Sequence, residues 1–369
     1  MSIDLIVILC FLFSGIYAVI LLAFFIGILL LSRKRDERLK PVSVIIAARN
    51  EEKNLDSLIE ALAIQDYPAK LFEVIIIDDR SEDYSLQLLA QKAAQYPWLS
   101  YDSIKIENPD FIAKKGALKL AISKAKYEIL AFTDADCLPG RKWLAEINAL
   151  MTDETDFLCG YSPLIGLKGI SGLLKNLERS SIFAVIAGSF GLGWDITSVA
   201  RNQVYRKSKF ELIAGFSGLG DQRSGDDDLL LQKMSPVLRK RNFIFAAQAA
   251  VPSRDKQNLS DQINLETRRA SKWNLYPLQI KLLTLFIMVY YFSLIGVLIL
   301  TITGSVPLHD FIFINLIKIA AEFMLLWLFL LKIGQIRQLQ AFLLAEILYI
   351  PYYIYFGLRG TFGSYSWKK

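Results

Sequence analysis

Two aspartates, Asp134 and Asp136, stand one residue apart at the end of a short apolar run, Glu128-Ile-Leu-Ala-Phe-Thr133. A run of that length predicts a buried strand, which would deliver both carboxylates to the open edge of a sheet. Neighbouring acids repel unless a cation lies between them. Oxygen-only ligands favour Mg2+ or Mn2+ over zinc, and such ions commonly bridge to substrate phosphates. A second acidic cluster, Asp226-Asp-Asp228, precedes the apolar run Leu229-Leu-Leu231. Acids there suit a helix N-terminus, but a cap needs one carboxylate and three are present. The single histidine, His309, lies in a short loop between apolar segments, so imidazole catalysis is excluded. The three cysteines, Cys10, Cys137 and Cys159, show no metal-ligand spacing and imply no disulfide framework.

The elements that must position these acids alternate. Residues 42–48, 73–77, 128–133 and, more weakly, 101–106 predict strands. Residues 55–64, 85–95 and 116–125 predict helices. Unbroken apolar strands separated by helices mean an α/β domain with a mostly parallel sheet covered on both faces. Ligands of such sheets bind beyond the carboxyl ends of the strands. The polar clusters 49–51, 78–83 and 134–136 all fall there, so one pocket can hold all three.

The 53% hydrophobic fraction is concentrated at the two ends of the chain. Residues 3–31 are apolar apart from Asp4 and a few small polar residues, and a helix needs roughly 20 such residues to cross a bilayer. The segment lacks the basic start of a cleaved signal, so a retained anchor is expected. Ser32-Arg-Lys-Arg-Asp-Glu-Arg-Leu-Lys40 follows it, which places the next domain in the cytosol. Net charge is +6, but acids and bases are otherwise interspersed and no aromatic-rich basic groove marks a nucleic-acid partner. Three more apolar segments, 282–304, 311–331 and 341–357, close the chain. A full third crossing there would put Arg359, Lys368 and Lys369 outside, against the charge rule. Pro351 and tyrosines 349, 352, 353 and 355 allow an interfacial helix instead, and both readings stay open. The expected organisation is an anchor over 1–32, a cytosolic domain over 33–275 and a membrane bundle over 276–369. Residues 164–193 read as an amphipathic element lying on the membrane. Lys318 and Glu322, four apart, read equally as a neutralising pair or as part of a functional pathway.

From Pro41 to about Trp273 these motifs together resemble the family 2 nucleotide-sugar glycosyltransferases, whose fold is GT-A. The resemblance implies that Ala47, Arg49, Glu51 and Asp79 bind the nucleoside, with a carboxylate accepting base N–H groups and so favouring uridine. Ala113-Lys-Lys-Gly-Ala-Leu118 is similar to the family's Gly-Lys-x-x-Ala-Leu element, which places Lys114, ahead of Lys115, near the nucleotide. Asp136 would carry the metal on the diphosphate, and Asp134 would share the metal or touch the ribose or sugar. Ala200-Arg-Asn-Gln-Val-Tyr-Arg206 with Gly215-Phe216 resembles the acceptor-side segment and points to Asn202. The pattern acid-Asp-x-acid-Leu registers Asp226 as the base that deprotonates the acceptor, with Asp227 as the alternative and Gly225 where glutamate is usual. Arg268-Arg-Ala-Ser-Lys-Trp273 resembles the Gln-x-x-Arg-Trp element that closes over the diphosphate and acceptor. Arg269 stands there for glutamine, Lys272 for arginine, and Trp273 is kept. Lysine lacks arginine's two-pronged grip on phosphate, a departure from the processive polysaccharide synthases.

The expected function is therefore a metal-dependent inverting glycosyltransferase, integral to the membrane. It would move a sugar from a nucleotide-sugar, a UDP-sugar by preference, to a lipid-linked or membrane-associated acceptor. The rivals are a processive polysaccharide synthase of the same family and a non-catalytic nucleotide-binding scaffold.

Overall fold

Val42, Val44 and Ile46 point to one face of their strand and Ile45 to the other, and all four are fully buried. Alternation with no polar face requires cover on both sides. The computed structural model describes residues 3–220, 222–255 and 259–363. After the long helix α1 (Ile3–Leu30), strand and helix alternate: β1 (Val42–Ala48), α2 (Leu55–Ala63), β2 (Phe72–Asp79), α3 (Ser85–Gln95), β3 (Leu99–Ile104), α4 (Lys114–Lys124) and β4 (Ile129–Phe132). The pattern continues through α5 (Trp143–Leu150), β5 (Thr155–Gly160), β6 (Leu164–Ile165) and α6 (Gly169–Gly191). Then come β7 (Gln203–Arg206), α7 (Lys207–Leu212), α8 (Asp228–Met234), β8 (Lys240–Ile244), β9 (Ser253–Arg254) and α9 (Leu259–Ser271). Three long helices follow: α10 (Leu278–Ile302), α11 (Leu308–Lys332) and α12 (Phe342–Phe362).

Seven strands form one sheet in the order β3-β2-β1-β4-β7-β5-β8. The first four run parallel, and β7 is antiparallel to both β4 and β5. The sheet is thus mostly parallel, as expected. Pairing with β3 continues through Asp79, opposite Ile104, so Asp78 and Asp79 end β2 as buried residues and the turn begins after them. Helices α2, α3 and α5 cover one face with Leu58, Leu89 and Trp143. On the other face α4 and α6 pack with Leu118 and Phe183 in a core that continues into the long helices.

Helix α6 corrects the expectation of a surface-lying element. Phe183, Ala184, Ile186, Ala187 and Phe190 are buried, and Phe190 meets Phe157 of β5 edge-on at 5.8 Å. Its opposite side touches α1 backbone to backbone. A Cβ on Gly27 would lie 2.0 Å from the Gly188 carbonyl oxygen, and one on Gly191 would lie 1.8 Å from that of Gly27. The Gly, Ala and Ser content that imitated a membrane-surface segment is a close-packing face.

Among the described residues four stretches, Ile3–Leu30, Leu278–Ile302, Leu308–Lys332 and Ile336–Phe362, are long and apolar enough to cross a membrane. Pro351 lies inside α12 without ending it; Lys368 and Lys369 lie outside the described residues. Lys318 faces the interior, pairing with Glu322 at 2.8 Å and with Glu346 of α12 at 2.5 Å. The Tyr17 hydroxyl of α1 donates to Glu322 at 2.6 Å. The i,i+4 pair is therefore the centre of a three-helix polar clamp.

The glycine contact is testable within one helix. Gly27→Ala forces backbones apart and should cost ~1–3 kcal/mol of stability, whereas Gly15→Ala meets nothing within 4 Å. Thermal unfolding of the purified protein should show a clear loss for the first variant and none for the second.

Candidate active site

The loops after β1 and β2 are laced together. Asn50, in the left-handed region at φ 56°, donates from its backbone N–H to Ser81 Oγ, and its Oδ1 accepts from the Glu82 N–H, both at 2.8 Å. The Glu51 N–H donates to Ser85 Oγ at 2.8 Å and that of Glu52 to Asp83 at 3.1 Å. The Asp79 carboxylate takes Arg80 Nε at 2.8 Å, and Arg80 also pairs with Glu107 at 3.1 Å. This bracing shapes a cavity of about 400 Å³ at the carboxyl ends of the parallel strands. Ala47, Arg49, Glu51, Asp79, Lys114, Asp134 and Asp136 all line it, so the residues expected on the donor side converge on one space.

Asp134, Asp136 and Cys137 bring potential ligand atoms within 4.8 Å of one another. Burial pushes the Cys137 thiol up, with Asp134 and Asp136 adding to the effect, and its Sγ lies 3.5 Å from Asp136 Oδ1 as a donor. A protonated thiol is a poor ligand, which leaves two carboxylates. That oxygen set fits a hard divalent cation such as Mg2+ or Mn2+.

The cation already beside the pair is Lys114. Its ammonium is hydrogen-bonded to Asp134 and lies 3.6 Å from Asp226 Oδ2. Arg201 Nε approaches Asp134 from the other side at 3.8 Å. Burial alone would raise the Asp134 carboxyl, but Lys114 and Arg201 hold it below the usual carboxylate range. Lys115 does something else. It is buried and donates to the carbonyls of Gln222 and Ser224, tethering the segment just before the acidic cluster.

Within that cluster the three acids divide. Asp227 caps α8 by accepting the Asp228 N–H at 2.8 Å. Burial would raise it, but Lys272 and the cap hold it far below the usual range. Asp228 is buried, bonded to the Lys272 ammonium and to the Tyr276 hydroxyl. Burial, then the Asp227 charge, pushes it up to about 6. Asp226 faces Lys114, its side chain 15% exposed. It is the acid spared from capping and from the Lys272 pair.

Two expectations about the acceptor side change. Asn202 is fully buried. Its Oδ1 accepts from Trp143 Nε1 at 2.9 Å and its Nδ2 donates to the Tyr161 carbonyl at 3.0 Å. It braces α5 against β5 and does not reach the cavity. Its neighbour Arg201 turns toward Asp134 instead. Arg269 pairs with Glu266 at 2.7 Å and lines a separate small pocket with Glu178, Arg179 and Arg201. Lys272 is committed to Asp228, and Trp273, half-buried, is not among the residues lining the strand-end cavity. The wall that α9 lends to that cavity is Asp261, Asn264, Leu265 and Arg268. Their spacing, i, i+3, i+4, i+7, is one face of a helix, and that periodicity is the signal that could have found them.

Lys272 is bonded to the buried Asp228 and lies 3.8 Å from the half-buried Asp227, so Lys272→Met should cost ~3–5 kcal/mol at pH 7 by leaving them without their cation. Asp228 titrates near 6 in the fold against ~3.9 when unfolded. A raised carboxyl is stabilising below its unfolded value, and that contribution is lost as pH rises through the folded one. The defect should therefore shrink between pH 7 and pH 5, as read by denaturant unfolding.

Residues 43–212 match the family model "Glycosyl transferase family 2". Glycosyltransferase AglE of Haloferax volcanii is 33% identical over 106 residues, 28% of this chain and 33% of that protein. Beta-monoglucosyldiacylglycerol synthase of Trichormus variabilis is 34% identical over 116 residues, 31% of this chain and 24% of that one. The chain spans a third or less of the length of these curated relatives. In fold it is similar to mannosyltransferase PcManGT from Pyrobaculum calidifontis, solved in complex with GDP-Man and Mn2+. The TM-score is 0.57 at 17% identity, over 94% of this chain and 99% of that one. Residues 43–212, which supply most of the lining of the strand-end cavity, thus match a family 2 glycosyltransferase model, on a fold similar to that of PcManGT.

Proposed function

We propose that the protein is an inverting glycosyltransferase that moves a sugar from a UDP-sugar to an acceptor at the membrane. The observation that carries this reading is the lysine bridge: Lys114 joins Asp134, on the wall of the strand-end cavity, to Asp226, which lines a small adjoining pocket that shares Lys114 with it. Donor and base are thereby adjacent. Arg49, Glu51 and Asp79 would hold the nucleoside, with Asp79 already aligned by Arg80. Arg268, on the facing wall, and Lys114 would face the diphosphate. Asp134 and Asp136 would hold a divalent cation, which would offset charge on the departing diphosphate; the PcManGT complex, which contains Mn2+, supports that assignment.

In the transfer, an acceptor hydroxyl oxygen bonds to the anomeric carbon as the bond from that carbon to the diphosphate oxygen breaks. Attack opposite the leaving group inverts the anomeric configuration. The hydroxyl proton passes to Asp226, and the nucleoside diphosphate leaves with the bonding pair. Four apolar helices support an integral membrane protein, with residues 33–275 on the cytosolic side and the basic segment after α1 at the boundary. A relative named for a diacylglycerol product supports a lipid acceptor.

Asp226→Asn should lower kcat ~10²–10⁴-fold with the donor KM little changed. Asp136→Ala should instead remove Mn2+-dependent binding of the donor. Both are read with a radiolabelled UDP-sugar and an acceptor lipid extract, and NMR of the product gives the anomeric configuration. Equal turnover by wild type and both variants, or a retained configuration, would overturn the proposal.

A further inference from the structure

A second cavity of about 310 Å³ lies between α1, α6, α10, α11 and α12. Phe24, Val185, Ile287, Leu326 and Ala345 are among its apolar walls. Its charged lining residues are Glu178, Glu322 and Glu346, and Lys318 holds the last two at 2.8 and 2.5 Å. Glu178 is the charged residue that this chamber shares with a neighbouring pocket. That small polar pocket is also lined by Arg179, Arg201, Arg269 and Ser162. Arg201 in turn reaches Asp134. An apolar chamber walled largely by candidate spans thus shares Glu178 and Ile182 with an arginine-lined pocket, whose Arg201 lies 3.8 Å from Asp134 of the strand-end cavity.

The polar pocket gathers three guanidiniums against one lining carboxylate; Arg179 donates to the Ser162 carbonyl at 3.2 Å and to Ser253 Oγ at 2.9 Å, and Arg201 to Ser253 Oγ at 2.7 Å. Ser162 Oγ and Arg201 Nε are buried there with no hydrogen-bond partner, although buried polar groups normally have one. Glu266 is already held by Arg269 at 2.7 Å. Burial, with Arg201 and Arg269 close by, pulls the Arg179 guanidinium down to about 9. Three guanidiniums gathered where a hydrocarbon chamber ends match an amphiphile with a negatively charged head.

Resting on the glycosyltransferase reading above, we infer that the acceptor is a lipid with an anionic, phosphate-bearing headgroup. Its hydrocarbon chain occupies the chamber between α1, α6 and the last three helices, and Arg179, Arg201 and Arg269 hold its charge beside Asp134. The chamber selects for a chain, the arginines for the head, and Arg201 links head to donor.

The test uses the full chain in detergent, with radiolabelled dioleoyl phosphatidate and dioleoylglycerol as lipid probes. UDP with Mn2+ serves as the control for the donor cavity. Phosphatidate should bind about tenfold more tightly than dioleoylglycerol, the strength of a charge-assisted contact. Val185→Trp should weaken phosphatidate about tenfold or more while UDP affinity stays within about twofold of wild type. Ile287→Trp, from α10, carries the same expectation should the first variant fail to fold. Arg269→Gln should abolish the preference for phosphatidate over dioleoylglycerol. Equal affinity for the two lipids would overturn the anionic head. Unchanged phosphatidate binding in both tryptophan variants would overturn the chamber. Complete displacement of phosphatidate by an equal concentration of inorganic phosphate would assign the arginines to a free anion and overturn the lipid. Failure of UDP to bind wild type, with the lipid pattern intact, would sink the donor reading and leave the lipid site standing.

Discussion

The ammonium of Lys114, bonded to Asp134 and 3.6 Å from Asp226, ties together acids delivered by two separate parts of the chain. One stands at the end of β4, the other just before α8. Like charges gathered in a half-buried space repel, and burying them costs free energy unless a counter-charge is fixed nearby. Lys114 can supply it because α4 begins at that residue, after Ala113 turns the chain at φ 54°. The next residue, Lys115, points the other way and holds the carbonyls of Gln222 and Ser224. Two adjacent lysines thus position the acidic cluster, one by charge and one by tether. The remaining acids face Lys272, which pairs with Asp227 and Asp228, while Asp226 faces Lys114.

The same economy governs the link between sheet and long helices. Strands buried on both faces must be covered, and on one face the cover is α6. Its aromatic side meets β5, while its glycine side meets α1 with backbone against backbone. The apolar core therefore runs from the sheet into the helices that are long enough to cross a membrane. The chamber and the arginine pocket are both lined by α6, and Arg201, at the entry to β7, lines the second and lies 3.8 Å from Asp134 of the strand-end cavity.

Much of this was legible in the residues. Strand-helix alternation, acids at strand ends and the long apolar segments are local patterns set by side-chain periodicity and polarity. Helix α3 is found over the residues expected for it, and β2 is extended only because its partner β3 continues alongside. Lys114 lines the strand-end cavity. Asn202 misled because its motif sits on a turn, where adjacent side chains point in opposite directions. The Trp143 indole, from α5, takes the amide and leaves Arg201 on the open side. Residues 164–193 misled because a small-residue face packs against helices as readily as an apolar face meets lipid.

By itself the sequence determined which residues could carry charge at the ends of buried strands, and where the long apolar segments lie, with the last left open between a crossing and an interfacial helix. It did so because strand period, burial and hydropathy are properties of neighbours along the chain. Tertiary structure alone decided that Lys115 tethers the carbonyls of Gln222 and Ser224, which of three aspartates caps α8, and which face of α9 closes the wall. Those choices depend on atoms brought close from distant parts of the chain, and no local spacing encodes them.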